Sequence, residues 1–166
     1  MLLLQTEHSD WQAVRRTPLD IHLNVAVMHM ADVVCPAGFD VSDTAPSTFP
    51  ELMAFIETHR RITVFSGGSE KTIYADREVN YCFRAWHDWC HWRGRFDFSL
   101  EGETAVWQMQ CDHFRSLFGD SAMTRRWQKI LYVEVVEQWL FHERHGYFPD
   151  DQMAFTRSYL EAHDET

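Results

Sequence analysis

Arg84-Ala85-Trp86-His87-Asp88-Trp89-Cys90-His91-Trp92-Arg93, followed by Phe96-Asp97-Phe98-Ser99-Leu100-Glu101-Gly102-Glu103, is the stretch on which the fold reading turns. Val79, Phe83, Trp86 and Cys90 recur every three or four residues, and Asn80, Arg84, His87 and His91 form a polar stripe beside them. That is the period of an amphipathic helix, opened by Asp76 and ended near Gly94. Ser99 caps the next helix, with Glu101 and Glu103 in its first turn, where the helix dipole favours carboxylates. Trp107, Cys111, Phe114 and Phe118 supply its core stripe.

Upstream, Ile62-Thr63-Val64-Phe65 and Lys71-Thr72-Ile73-Tyr74 flank Ser66-Gly67-Gly68-Ser69, and two β-rich runs around Gly-Gly predict a hairpin over residues 61–75. Before it, Ser47 or Thr48 caps a helix running to about Arg60, with Leu52, Phe55 and Ile56 on its apolar face. Residues 36–48 read as a loop, and Thr17-Pro18 opens a helix carrying Leu23, Val27 and Val34 as far as residue 34. Residues 1–16 read as an extended arm or a short helix around Trp11. Downstream, Gly119-Asp120 is a break, Ser121 or Asp120 caps a long helix reaching about His145-Gly146, and a short terminal helix spans about residues 150–162. The expected architecture is mainly α: one domain over residues 1–166, a bundle of about five helices with one small β-hairpin at 61–75.

A chain of 166 residues with 45% hydrophobic content, seven Trp and twelve Phe has material for one real core. The formal charge of −10 argues against a general binder of nucleic acid or of anionic membranes, which needs clustered Lys and Arg. Cys35, Cys82, Cys90 and Cys111 lack CxxC spacing and read as reduced thiols, and no signal segment or apolar run of membrane length is evident. The expected location is the cytoplasm.

His87 and His91 lie four apart on one helical face, within reach of one metal ion, and Glu103 can approach that face from the following helix. Capping of the helix start is the competing role for both Glu101 and Glu103. In the last long helix, steps of three and four from Trp127 give Leu131, Glu134 and Gln138, then Phe141 or His142. An apolar stripe then carries a carboxylate that needs a metal, a cation or a proton. Alternatively Val133, Val136 and Leu140 face the core while Glu134 and Glu137 face water. The candidate ligands are His87, His91, Glu103, Glu134 and His142, and two imidazoles with carboxylates suit zinc, iron or manganese. Asp88 or Glu103 would handle a proton as a catalytic group, and Arg84 would clamp a substrate anion.

Two resemblances follow from these residues. Asn80, Arg84-Ala85-Trp86-His87-Asp88, His91 and Phe98-Ser99-Leu100-Glu101-Gly102-Glu103 resemble an arrangement in uncharacterised phage and prophage proteins, over about residues 74–110. There an R-A-x-H-D helix precedes a G-E helix start, which implies a phage-encoded protein in the host cytoplasm. The His87-Asp88 doublet with His91 and a downstream glutamate is also similar to the metal-binding helix of HD-domain phosphohydrolases. That likeness implies an all-helical, divalent-metal enzyme acting on nucleotides or phosphoesters, with His87 and Asp88 as ligands and His91 nearby. His59 would supply the upstream histidine of that family.

The function expected from the sequence is metal-dependent hydrolysis of a phosphate ester or nucleotide, with a small-molecule substrate. The alternative is a non-catalytic phage or bacterial protein that binds a host protein through its acidic, tryptophan-rich surface.

Overall fold

The computed structural model describes residues 16–164; the reading of the first fifteen residues lies outside them. The order is α1 (Ile21–Val34), β1 (Asp40–Ser42), α2 (Phe49–His59), β2 (Thr63–Phe65), α3 (Arg77–Gly94), α4 (Leu100–Phe118) and α5 (Ala122–Tyr132). A π-helical segment (Val133–Glu137) then runs without a break into α6 (Gln138–His145), and α7 (Gln152–His163) closes the described chain. The architecture is a helical bundle with a small two-stranded sheet. No described helix is long and apolar enough to cross a membrane.

Helix α3 is the central rod and packs against α1, α2, α4 and β2. Its stripe of Val79, Phe83, Trp86 and Cys90 is buried, as the spacing predicts, against Leu23, Val27 and Met30 of α1 and Val106 and Phe114 of α4. Trp127, Ile130 and Leu131 of α5 and Val135 of the π-helical segment complete this core. A second cluster joins Leu52 and Ile56 of α2 to Ile62, Val64, Tyr81 and Ala85. Helix starts follow local chemistry. Thr48 and Glu51 form a capping box on α2, Asp76 caps α3, Ser99 caps α4 and Ser121 caps α5. Helix α1 begins later than Thr17-Pro18 suggests, because Asp20 takes the backbone N–H groups of His22 and Leu23 at 2.9 and 3.0 Å.

The hairpin at 61–75 does not form. Strand β2 pairs in parallel with β1, in the register Asp40↔Thr63, Val41↔Val64 and Ser42↔Phe65, and α2 is the crossover between them. Residues 66–74 instead form an irregular strap along α3, because their backbone groups find other partners. Arg84 Nη1 donates to the carbonyls of Phe65 and Gly67 (2.7 Å to the latter), and Tyr81 Oη donates to Ser66 O at 3.1 Å. Leu19 N reaches Ile73 O at 2.8 Å, Asn24 Nδ2 reaches Tyr74 O at 2.9 Å, and Gln152 N reaches Lys71 O at 3.1 Å. Ile73 and Tyr74, spaced as strand residues, lie buried in the main core.

Candidate metal centre

His87 and His91 project from α3 toward the first turn of α4, where Glu103 meets them. Their Nε2 atoms lie 2.9 Å apart. Glu103 Oε2 is 3.3 Å from His87 Nε2, and Glu103 Oε1 is 3.4 Å from His91 Nε2. Among the described residues these three form one group able to hold a metal ion.

Two local features aim the ligands. Arg95 adopts a left-handed conformation (φ 54°), which ends α3 and turns the chain back, so that the Phe96 carbonyl lies 2.8 Å from His91 Nδ1. With Nδ1–H donating to that carbonyl, His91 turns Nε2 toward Glu103 Oε1 and His87 Nε2. A backbone partner on the remote nitrogen is how metal-ligating histidines are commonly oriented. Across the loop, Asp97 Oδ1 receives the Ser99 hydroxyl and Ser99 N (3.2 Å), and Ser99 Oγ receives Gly102 N at 3.1 Å. Trp139 of α6 donates to Phe98 O at 3.0 Å, fixing the far wall to the same loop.

Burial works against the His87 cation, but the Glu103 carboxylate beside it outweighs burial and holds the imidazole above its ordinary pKa. Glu103 is in turn held low by the two histidines despite its own burial. Burial pushes Asp88 up to about 6 against the pull of His87, His91 and Arg84. His87 Nδ1 is buried without a hydrogen-bond partner.

The group opens on a cavity of about 320 Å³, whose wall includes His87, Asp88, Glu103, Arg84, Glu134 and Gln138. Asp88 lines this cavity beside His87. Arg84 does not present a free fork: besides the Phe65 and Gly67 carbonyls, its Nη2 reaches Gly68 O at 3.5 Å, so it ties down the strap. Glu101 is exposed in the first turn of α4, in keeping with a dipole role, whereas Glu103 is buried.

Glu134 is buried on the cavity wall but does not join the ligand group; its Oε1 receives Gln138 Nε2 at 2.7 Å and Thr156 Oγ1 at 3.0 Å. Burial pushes its carboxyl up to about 8, against those two hydrogen bonds, so it carries a proton at neutral pH. The sequence left open which side of this helix faces inward, and the π segment removes the alternatives. Val133, Glu134, Val135 and Val136 are all buried, because a wider turn breaks the period of 3.6 on which both readings relied.

His142 stays apart from the triad: its side chain is 40% exposed, stacked on Phe148 and beside Glu143. His59 ends α2 exposed and stacked on Phe55, and His113 accepts from Trp86 Nε1 at 3.0 Å. The sequence reading put Gln138, which serves Glu134, on the same stripe without a role, and passed over Trp139, which lines the cavity and holds the 95–99 loop. A polar and an aromatic residue following Glu134 at the helical interval is the signal that marks them. The chain was compared with protein-family models, with curated proteins and with solved structures, and no match was found.

Proposed function

We propose that the protein is a metal-dependent hydrolase with a mononuclear centre on His87, His91 and Glu103. The observation behind this reading is the mutual spacing of the three donor groups, 2.9 to 3.4 Å, with His91 braced from behind by the Phe96 carbonyl. Ions bonded to nitrogen and oxygen at about 2.0–2.2 Å place neighbouring ligand atoms about 2.8–3.1 Å apart at right angles and about 3.3–3.6 Å apart at the tetrahedral angle. Three protein ligands, of which His87 and Glu103 line a cavity, also match catalytic rather than structural zinc sites, which are closed by a fourth. Zinc fits this donor set first, with iron and manganese accepted by the same ligands.

The spacing His87-Asp88-x-x-His91 supports hydrolysis. Two histidines four apart with an acid after the first is the helical pattern in which a metal ion and a general base share one turn. When bound, a divalent ion polarises a substrate oxygen and eases loss of a proton from water. Asp88, on the cavity wall one residue from His87, takes that proton and returns it to the leaving group. Gln152, on the same wall, offers an amide group that orients a substrate.

The test is metal analysis of the purified protein after exposure to zinc, iron(II) or manganese(II) and desalting. One equivalent retained by the wild type and lost in His87→Ala and His91→Ala is the expected result. A wild-type chain that retains none of the three ions overturns the proposal.

A further inference from the structure

The C-terminal half of α3 borders a second cleft, of about 330 Å³, which shares no lining residue with the cavity beside the triad. Trp89 and Trp92, three residues apart on that helix, line it together with Val34, Pro36, Ile56 and Ile62, so its surface is largely apolar. Arg60 and Trp92 are shared with an adjoining hollow lined by Glu57, Arg93 and Arg95.

These two tryptophans differ from the other described ones. Trp86, Trp107, Trp127 and Trp139 each give the indole N–H to an acceptor, at 3.0, 2.9, 3.3 and 3.0 Å. The N–H groups of Trp89 and Trp92 have no acceptor among the described residues, although both rings are half-buried. A tryptophan held in this way keeps an apolar face and a donor for a molecule outside the chain.

The arginines divide in the same manner. Arg61 is committed to the wall, with Nε donating to Asp40 at 2.6 Å and Nη1 to Ala37 O at 3.0 Å, and Arg95 lies 3.8 Å from Glu57. The side chains of Arg60 and Arg93 meet neither a carboxylate nor another acceptor among the described residues. Arg60 lines both hollows, and it ends α2 in a left-handed conformation (φ 54°) that glycine adopts at less cost. A cation at a helix C-terminus offsets the dipole there, but the ends of α2 and α3 carry only about half a negative charge each. Together with Glu57 and Asp40 they come to about three negative charges against four guanidiniums. The result is a local excess of about one positive charge on a chain of formal charge −10.

We propose that this cleft binds a small, flat aromatic compound bearing one negative charge, with its ring on Trp89 and Trp92 and its anionic group on Arg60 and Arg93. The ring uses the apolar faces, and the anion accepts charge-assisted hydrogen bonds from the two uncommitted guanidiniums. A single negative charge is what the local excess matches. No bond is made or broken, and the site stands apart from the hydrolase reading and needs no metal.

The test uses the full-length protein labelled with nitrogen-15, whose indole N–H resonances report each tryptophan separately. Trp89→Phe and Trp92→Phe assign the two signals in question. The probes are 2-naphthoate and 2-naphthylmethylamine, which share a ring system and carry opposite charges at neutral pH. The expected result is that 2-naphthoate moves the Trp89 and Trp92 signals and binds at least tenfold more tightly than the amine. Glycine suits the backbone of residue 60, so Arg60→Gly is expected to unfold at the wild-type temperature or above while its affinity for 2-naphthoate falls about tenfold. Arg93→Gln, at an exposed position of α3, is expected to weaken binding by a similar factor. Unmoved Trp89 and Trp92 signals, equal or tighter binding of the amine, or undiminished affinity in either arginine variant overturns the proposal.

Discussion

A Cβ placed on Gly102 would lie 1.9 Å from the carbonyl oxygen of Asp97. The first turn of α4 therefore rests directly on the backbone of the loop that follows α3, and that contact carries Glu103 to the histidines. Gly102→Ala forces the two backbones apart, at a cost of about 1–3 kcal/mol typical of overpacking. Urea denaturation is expected to show that loss and metal analysis a drop in occupancy. Unchanged stability with full occupancy would show that the contact is not what positions Glu103.

Metal binding should stabilise the fold by mass action. At a free ion concentration one hundred times the dissociation constant the gain is about 2.7 kcal/mol, which for a chain of this size raises Tm by roughly 5–10 °C. Differential scanning calorimetry with and without zinc, followed by chelator, measures it. His91→Ala and Glu103→Gln are expected to abolish the shift.

Glu134 sets a pH dependence of stability. Its carboxyl is pushed up to about 8 in the folded chain from an ordinary value of 4.5, so between those values the native state holds a proton that the unfolded state has released. Stability then falls as pH rises through this window, each unit of pKa separation being worth about 1.4 kcal/mol. Denaturation midpoints from pH 4 to 9 are expected to show the decline, and Glu134→Gln to flatten it. A variant with the same slope as wild type would locate the titration elsewhere.

Arg84 holds the strap rather than a ligand. Arg84→Ala leaves the Phe65 and Gly67 carbonyls without their donor, for a loss of about 1–3 kcal/mol. Metal occupancy should not change. A variant that keeps wild-type stability but loses affinity for an anionic ligand would restore the anion-clamp role.

The helices were legible because apolar periodicity and caps are local: the stripe of α3 and the caps at Thr48, Asp76, Ser99 and Ser121 stand where the spacing puts them. His87, His91 and Glu103 could be read for the same reason, two on one helical face and one at the next helix start. The parallel pairing of β1 with β2 was not, since Asp40-Val41-Ser42 carries no strand signal of its own and its partner lies beyond a helix. Which way Glu134 faces stayed open because no periodic template contains a π turn, and the strap-holding role of Arg84 escaped because its partners are backbone carbonyls, which leave no mark in side-chain spacing.

All three ligands fall between residues 87 and 103, inside one helix–loop–helix unit. Closing so short a stretch of chain around an ion costs little entropy compared with gathering ligands from distant segments. Part of the cavity wall beside them comes instead from further along the sequence, through Glu134, Gln138 and Trp139. In the proposed hydrolase, the ion and part of the surface that a substrate would meet are thus held by separate parts of the chain. Mutational drift in the latter would retune what is admitted while the former kept its ion.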